Sequence, residues 1–275
     1  MRIFPMLALW GLSFSVGAAD TSSLIEQKVN TTAATEKPAA EKKLEAPAAV
    51  IQTLKRMVKL DMKQVSVNAS PIPNLYEALI GSEVVYISAD GKYVLVGDLR
   101  DANTGTNLTE NKRGELRKTS LAAVKEEDMI IFPAKGDNLY TITVFTDVDC
   151  GYCAKLHQEV PKLNSMGVTV RYLAFPRAGI GSESYNKMVS VWCSKDRQQA
   201  ITDSKKGLDV KPTMCDNPVE AQFELGRMVG VAGTPAIVLQ SGEVLPGYMP
   251  AEKLVAYLQQ KTFPVLGQGV QVKPQ

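Results

Sequence analysis

Tyr140-Thr-Ile-Thr-Val-Phe-Thr-Asp-Val-Asp-Cys150-Gly-Tyr-Cys153-Ala-Lys-Leu-His-Gln-Glu-Val160 decides the fold. Residues 140–145 are β-branched and aromatic and read as a strand, and residues 154–160 read as the start of a helix. A short turn joins them and carries Cys150-Gly151-Tyr152-Cys153. A helix N-terminus has free N–H groups and partial positive charge, so a thiol there is stabilised as the thiolate that attacks disulfides. The two thiols lie about one helical turn apart, close enough to close a small ring. Cys150 is expected at the exposed helix tip as the attacking thiol, with Cys153 resolving the mixed disulfide. Gly151 and Tyr152 shape the approach of a substrate and tune the potential.

Other uses of two cysteines fit less well. A c-type haem site needs His directly after the second Cys, where this chain has Ala154. Zinc needs four ligands, whereas Cys150, Cys153 and His157 supply three. A plain structural disulfide is an odd staple over so short a loop. His157, the only histidine, either tunes a thiol or packs as a half-buried helix residue, and packing is the expected role. Asp149 reads as a capping or solvated carboxylate, while Asp147 is open between capping and proton acceptance.

The second element is Val231-Ala-Gly-Thr-Pro235, with Thr234-Pro235 leading into an apolar strand. Pro opening a strand is unusual because it donates nothing to the ladder. With the Cys-x-x-Cys upstream, a cis Thr234-Pro235 bond is expected, placing an unpaired backbone edge against the thiols for an extended chain. Strands at 129–132, 140–145 and 168–174, helices at 182–202 and 218–229, a hairpin at 236–245 and a closing helix at 251–260 follow in order. That order predicts an α/β catalytic domain of the thioredoxin type with a helical insertion, spanning 129–266 and followed by a tail at 267–275.

The chain of 275 residues has room for two modest domains, α+β overall. Its net charge of +2 gives no footprint for nucleic acid or an anionic membrane. Arg2, an apolar run to Val16 and Gly17-Ala18-Ala19 predict a cleavable signal peptide at 1–19; the run is short for a membrane anchor and is interrupted by Ser13 and Ser15. Residues 20–47, rich in Ala, Lys and Glu, read as a flexible tail. Residues 48–108 combine a short amphipathic helix with four strand candidates and a hairpin signal at Asp90-Gly91, giving a small α+β interaction or dimerisation module. Residues 109–128, with Asn107 as a cap, read as a surface linker helix that spaces two domains. All four cysteines lie in the C-terminal half, an even number in a chain expected to be exported. Beside Cys150–Cys153 this leaves Cys193–Cys215, read as a structural disulfide with a second redox pair as the alternative.

Several stretches carry a resemblance. Phe145-Thr-Asp-Val-Asp-Cys-Gly-Tyr-Cys153, Lys155-Leu-His157, Val170-Arg-Tyr-Leu-Ala-Phe-Pro176, Val191-Trp-Cys193-Ser-Lys-Asp196, Gly233-Thr-Pro235 and Pro246-Gly-Tyr248 together resemble the periplasmic DsbC-type disulfide isomerases of Gram-negative bacteria. Val84-Val-Tyr-Ile-Ser-Ala-Asp-Gly-Lys92 resembles that family's small N-terminal domain. The resemblance implies a V-shaped homodimer joined through the N-terminal domains, with an uncharged cleft that holds misfolded exported proteins. It implies a DsbD-type inner-membrane electron donor and needs no metal or organic cofactor. By position, Cys150 is the nucleophile, Cys153 the resolving thiol, Thr234 and Pro235 the substrate-binding loop, and Cys193–Cys215 the structural disulfide. Three neighbouring functions share the fold: a DsbG-like reductase of sulfenylated cysteines, an oxidase that donates disulfides, and a periplasmic chaperone whose redox chemistry is incidental.

Overall fold

The computed structural model describes residues 46–57 and 65–262. The expected signal peptide at 1–19, nearly all of the 20–47 tail and the 267–275 tail lie outside the described residues.

Apolar residues at helical spacing make the first helix, α1 (Ala48–Met57), which buries Val50, Thr53 and Leu54. It belongs with a four-stranded antiparallel sheet of β1 (Val65–Ala69), β2 (Leu75–Ile80), β3 (Glu83–Ser88) and β4 (Val94–Val96), in sequence order. Val50, Leu54, Ala78, Val85 and Ile87 form its core. The turn between β3 and β4 needs glycine: Gly91 has φ +69°, and a Cβ there would lie 2.6 Å from the Ala49 carbonyl oxygen. The Gly91 carbonyl in turn accepts a 2.7 Å hydrogen bond from the Thr53 hydroxyl, tying turn to helix.

Helix α2 (Leu108–Ala122) starts at Asn107, whose side chain accepts from the Glu110 N–H at 2.9 Å. The sequence predicts one surface helix to 128; instead the helix ends at Ala122 and a separate 3-10 turn spans Glu126–Asp128. Nor is α2 solvated all round, because Thr109, Gly114 and Arg117 are buried. Arg117 donates through Nε to the Gly242 carbonyl and through its guanidinium tip to Glu110. Gly114 lies against the Ser241-Gly242 turn, where a Cβ on Gly242 would meet the Gly114 carbonyl at 2.0 Å.

The rest of the chain builds a five-stranded sheet in the order β5-β7-β6-β8-β9. Its strands are β5 (Ile130–Phe132), β6 (Tyr140–Thr146), β7 (Val168–Ala174), β8 (Ala236–Val238) and β9 (Val244–Pro246). Only β6 and β7 run parallel, with Tyr140 opposite Val168 and Thr146 opposite Ala174. Both are largely buried on both faces, as parallel strands between helices must be, with only Thr143 and Arg171 partly exposed. The helices are α3 (Gly151–Ser165), α4 (Glu183–Trp192), α5 (Arg197–Lys205), α6 (Val219–Met228) and α7 (Ala251–Thr262). Helix α3 runs on through Pro161, beyond the 154–160 stretch that its sequence suggests. The single helix expected at 182–202 is two: α4 stops at Cys193, and Asp196 caps α5 by accepting from the Gln199 N–H at 2.9 Å. A disulfide joins Cys193 to Cys215, across 22 positions of sequence. Among the described residues no helix is long and apolar enough to cross a membrane.

Candidate active site

Because β6 and β7 are parallel neighbours, the segments leaving their C-terminal ends emerge side by side. From β6 comes Asp147-Val148-Asp149-Cys150, and from β7 comes Phe175-Pro176-Arg177. Cys150 is the N-cap of α3, and its sulfur accepts from the Cys153 N–H at 3.3 Å. On its other side the Cys150 thiol donates to the Thr234 carbonyl at 3.4 Å. The Thr234-Pro235 peptide bond is cis. The structure therefore brings Cys150, Cys153 and Thr234-Pro235 together, with Gly151 and Tyr152 between the thiols on the open side.

One expectation needs correcting. Cys150 is not exposed at the helix tip: the residue is only 3% exposed, while Tyr152 is 66% exposed. The segment ahead of β8 packs its carbonyl against the sulfur, so the thiol lies in a crevice roofed by backbone. Both thiols are free.

The two sulfurs are pushed in opposite directions. Burial raises the Cys150 thiol, yet the Thr234 side chain, the Cys153 thiol and N–H and the Arg177 charge together bring it below the ordinary thiol range. Cys153, deeper at 1% exposure, is held above that range by burial, which outweighs the charge of Lys205. First thiol activated and second protonated is the arrangement a two-step exchange requires.

Asp147, left open by the sequence, is a structural anchor. Its carboxylate is 1% exposed. It accepts from the Asp149 N–H (2.9 Å), the Arg177 N–H (2.9 Å), Arg177 Nε (3.1 Å) and the Ser184 hydroxyl (2.7 Å). Burial pushes its pKa up, but these hydrogen bonds hold it below the usual carboxylate value. The group is ionised and fully engaged, pinning the β6 and β7 loops to each other and to α4. Asp149 pairs with Lys187 at 3.2 Å on the surface instead of capping α3, a role taken by Cys150 itself.

His157 packs, as expected. Its Nδ1 lies 3.1 Å from the Tyr172 hydroxyl and its Nε2 lies 3.0 Å from the Thr202 hydroxyl. Thr202 already donates to the Gln198 carbonyl, so it accepts from His157 Nε2–H, and Nδ1 accepts from Tyr172. Burial, helped by Lys205 and Lys206, lowers the imidazole pKa to about 4. With both nitrogens engaged, His157 has none to offer a metal beside the thiols. Among the described residues no cluster of three or more His, Cys, Asp or Glu side chains could hold a metal ion.

Residues 125–262 match a family model for a thioredoxin-like domain, and residues 32–110 match one for a disulfide bond isomerase protein N-terminal domain. The thiol:disulfide interchange protein DsbC of Salmonella typhimurium is 41% identical over 211 residues, which is 77% of this chain and 86% of that protein. The chain belongs to the DsbC family. The DsbC proteins of Dickeya dadantii and Escherichia coli are 42% and 36% identical over the same shares of each chain. Among solved structures, a disulfide interchange protein from Neisseria gonorrhoeae is 32% identical, covering 50% of this chain and 97% of that one, with a TM-score of 0.45.

Three residues around this DsbC-family site escape a reading of the sequence: Arg177, Ser184 and Lys205. Arg177 was the most accessible, since a charged residue just after a strand parallel to β6 must emerge beside the cysteine turn. Ser184 and Lys205 sit on α4 and α5, whose placement depends on how the insertion folds back.

Proposed function

We propose that this DsbC-family chain is a protein disulfide isomerase of the periplasm, exported by the signal peptide at 1–19 and acting on misfolded disulfide-containing exported proteins. The observation that carries the reading is Cys150 at the N-cap of α3, its thiol activated and facing the Thr234 carbonyl. The Cys150 thiolate attacks one sulfur of a wrong disulfide in the substrate. A Cys150–substrate bond forms, the substrate disulfide breaks, and its other sulfur leaves as a thiolate. A different substrate thiolate then attacks the mixed disulfide, forming a rearranged bond and returning Cys150 as thiolate. When no substrate thiolate is in reach, Cys153 loses its proton and attacks Cys150 Sγ. The Cys150–Cys153 disulfide forms, the substrate sulfur leaves reduced, and the enzyme is left oxidised. A DsbD-type inner-membrane donor returns the two electrons. The chemistry is complete with thiols alone, with no metal or organic cofactor.

Gly151, Tyr152, Thr234 and Pro235 bind the substrate chain. Tyr152 offers an exposed ring beside the crevice, and the Thr234 carbonyl is the first acceptor an extended peptide meets. The protein works as a homodimer joined through the module at 48–108. Supporting this, β4 is an edge strand among the described residues, and Tyr93 just ahead of it and Leu95 and Val96 within it are exposed at 72%, 53% and 69%.

Reactivation of a scrambled-disulfide protein in glutathione buffer, comparing wild type with Cys150→Ser, tests the proposal. Catalysed recovery that disappears in the variant supports it. No recovery by wild type above buffer overturns it and favours a DsbG-like reductase or a chaperone.

A further inference from the structure

One face of the five-stranded sheet changes character along its strands. Phe145, Leu173 and Ala236, aligned across β6, β7 and β8, belong to an apolar core against which Leu121 of α2 packs. Two residues earlier on β6 the same face carries Thr143, with Arg171 of β7 on one side and Val238 of β8 on the other. Thr141 is the next β6 residue on that face. Polar groups on the covered face of a central strand are costly unless something engages them. Here they floor a cavity of about 370 Å³ beside the C-terminal end of α2. Leu121, Met129 and Leu239 give it an apolar wall, and Lys118 of α2 stands at its exposed edge.

The donors around this cavity are unengaged. Arg171 gives one end of its guanidinium to Glu126, but its Nε is buried with no hydrogen-bond partner among the described residues. The Thr143 hydroxyl makes no hydrogen bond, and Lys118 no ion pair, among the described residues. The Thr141 hydroxyl accepts from Asn138 Nδ2 at 3.2 Å, which leaves its own proton to donate. Among the described residues no Asp or Glu lines the cavity. Two cations and two hydroxyls thus meet without an anion, next to an apolar wall. Charge calls for an oxyanion, and the wall calls for an apolar body attached to it. We propose that this cavity binds a small organic carboxylate, its oxygens taken by Arg171 Nε and the Thr143 hydroxyl with Lys118 alongside. The apolar body rests on Leu121, Met129 and Leu239. Groups on α2 and on the sheet then share one ligand, so binding fastens the linker helix to the domain that carries Cys150.

Benzoate, with benzamide as its uncharged counterpart of similar shape, tests the site on the full chain with both active-site thiols reduced. Followed by amide NMR, benzoate should move the signals of residues 118–122, Thr143 and Arg171 to saturation, and benzamide should leave them in place. Arg171→Met should weaken benzoate binding about tenfold or more, and Thr143→Val and Lys118→Met about threefold each. Shifts that stay linear in benzoate, or an equal response to benzamide, overturn the proposal. Tighter binding of inorganic phosphate than of benzoate would assign the cavity to a free inorganic ion and overturn the organic ligand. Should Arg171→Met not fold, the surface change Lys118→Met and the near-isosteric Thr143→Val decide, and unchanged benzoate affinity in both refutes the site. Binding is read here without any disulfide chemistry, so its failure would leave the isomerase reading standing.

Discussion

His157 sits with Nδ1 on Tyr172 and Nε2 on Thr202, neutral because burial and two lysines oppose its charge. That has a consequence for stability. An unfolded histidine titrates near pH 6.5, and this one at about 4 when folded. Between those values the unfolded chain binds the extra proton, so stability rises with pH through that window and is level above it. The full effect is about 3 kcal/mol. Urea midpoints measured from pH 4 to 7 should climb in the wild type. In His157→Phe the climb should flatten, even though the variant loses its bonds to Tyr172 and Thr202 and is less stable overall. Parallel curves for the two proteins would remove His157 as the cause. The role of this residue was legible in the sequence, because a lone histidine on an apolar helix face packs more often than it reacts. Cys150 and Cys153 were legible because their spacing is fixed by local chain geometry, and Thr234-Pro235 because a Pro opening an apolar strand is unusual. Lys205 and Arg177 were not, since nothing near them in sequence says which sheet edge they will reach. Nor was the burial of Cys150, which depends on a segment 84 residues away.

At the scale of elements, α2 is the place where sequence and structure part most. Its charge-rich face reads as solvent-exposed, and three glycine-and-arginine contacts make it a docked helix. Gly114 and Gly242 approach backbone to backbone, and Gly242 also has φ +85°, so a side chain there is both strained and blocked. Gly242→Ala should destabilise the protein by about 3 kcal/mol, from overpacking and from the left-handed backbone together. It should also raise amide exchange across Leu108–Ala122. Thermal melts at wild-type midpoint would show that the hairpin turn yields without cost. The break between α4 and α5 falls in the polar stretch Ser194-Lys195-Asp196. Asp196-Arg-Gln-Gln199, a cap followed by a polar residue at the third helical position, was the signal that marks it.

For the whole molecule, the arrangement of one sheet edge predicts assembly. Among the described residues no further strand pairs with β4, and its three side chains, Val94, Leu95 and Val96, are apolar and exposed, which an isolated protein does not leave open without cost. Val96→Lys should convert a dimer to a monomer by light scattering, with its reactivity toward a small disulfide unchanged and its recovery of scrambled protein reduced. A variant that keeps the dimer mass would place the interface elsewhere. The order of strands and helices was readable from hydrophobic pattern, because period-two and period-three-to-four runs are separated by clear turn residues. How the pieces associate was not, because edge pairing between chains leaves the same pattern as a solvated edge.

The roof over Cys150 should lengthen the life of the reduced enzyme. An activated thiol in an oxidising compartment is at risk from every passing peroxide and small disulfide. Here the sulfur is parked against its own chain, with 3% of the residue exposed and its S–H donated to the Thr234 carbonyl. A long peptide lying along that carbonyl compensates for displacing the thiol, while a small oxidant offers nothing in exchange. The same bond should therefore favour a long peptide over a small oxidant, and peroxide should consume the reduced thiol more slowly than it consumes an exposed one.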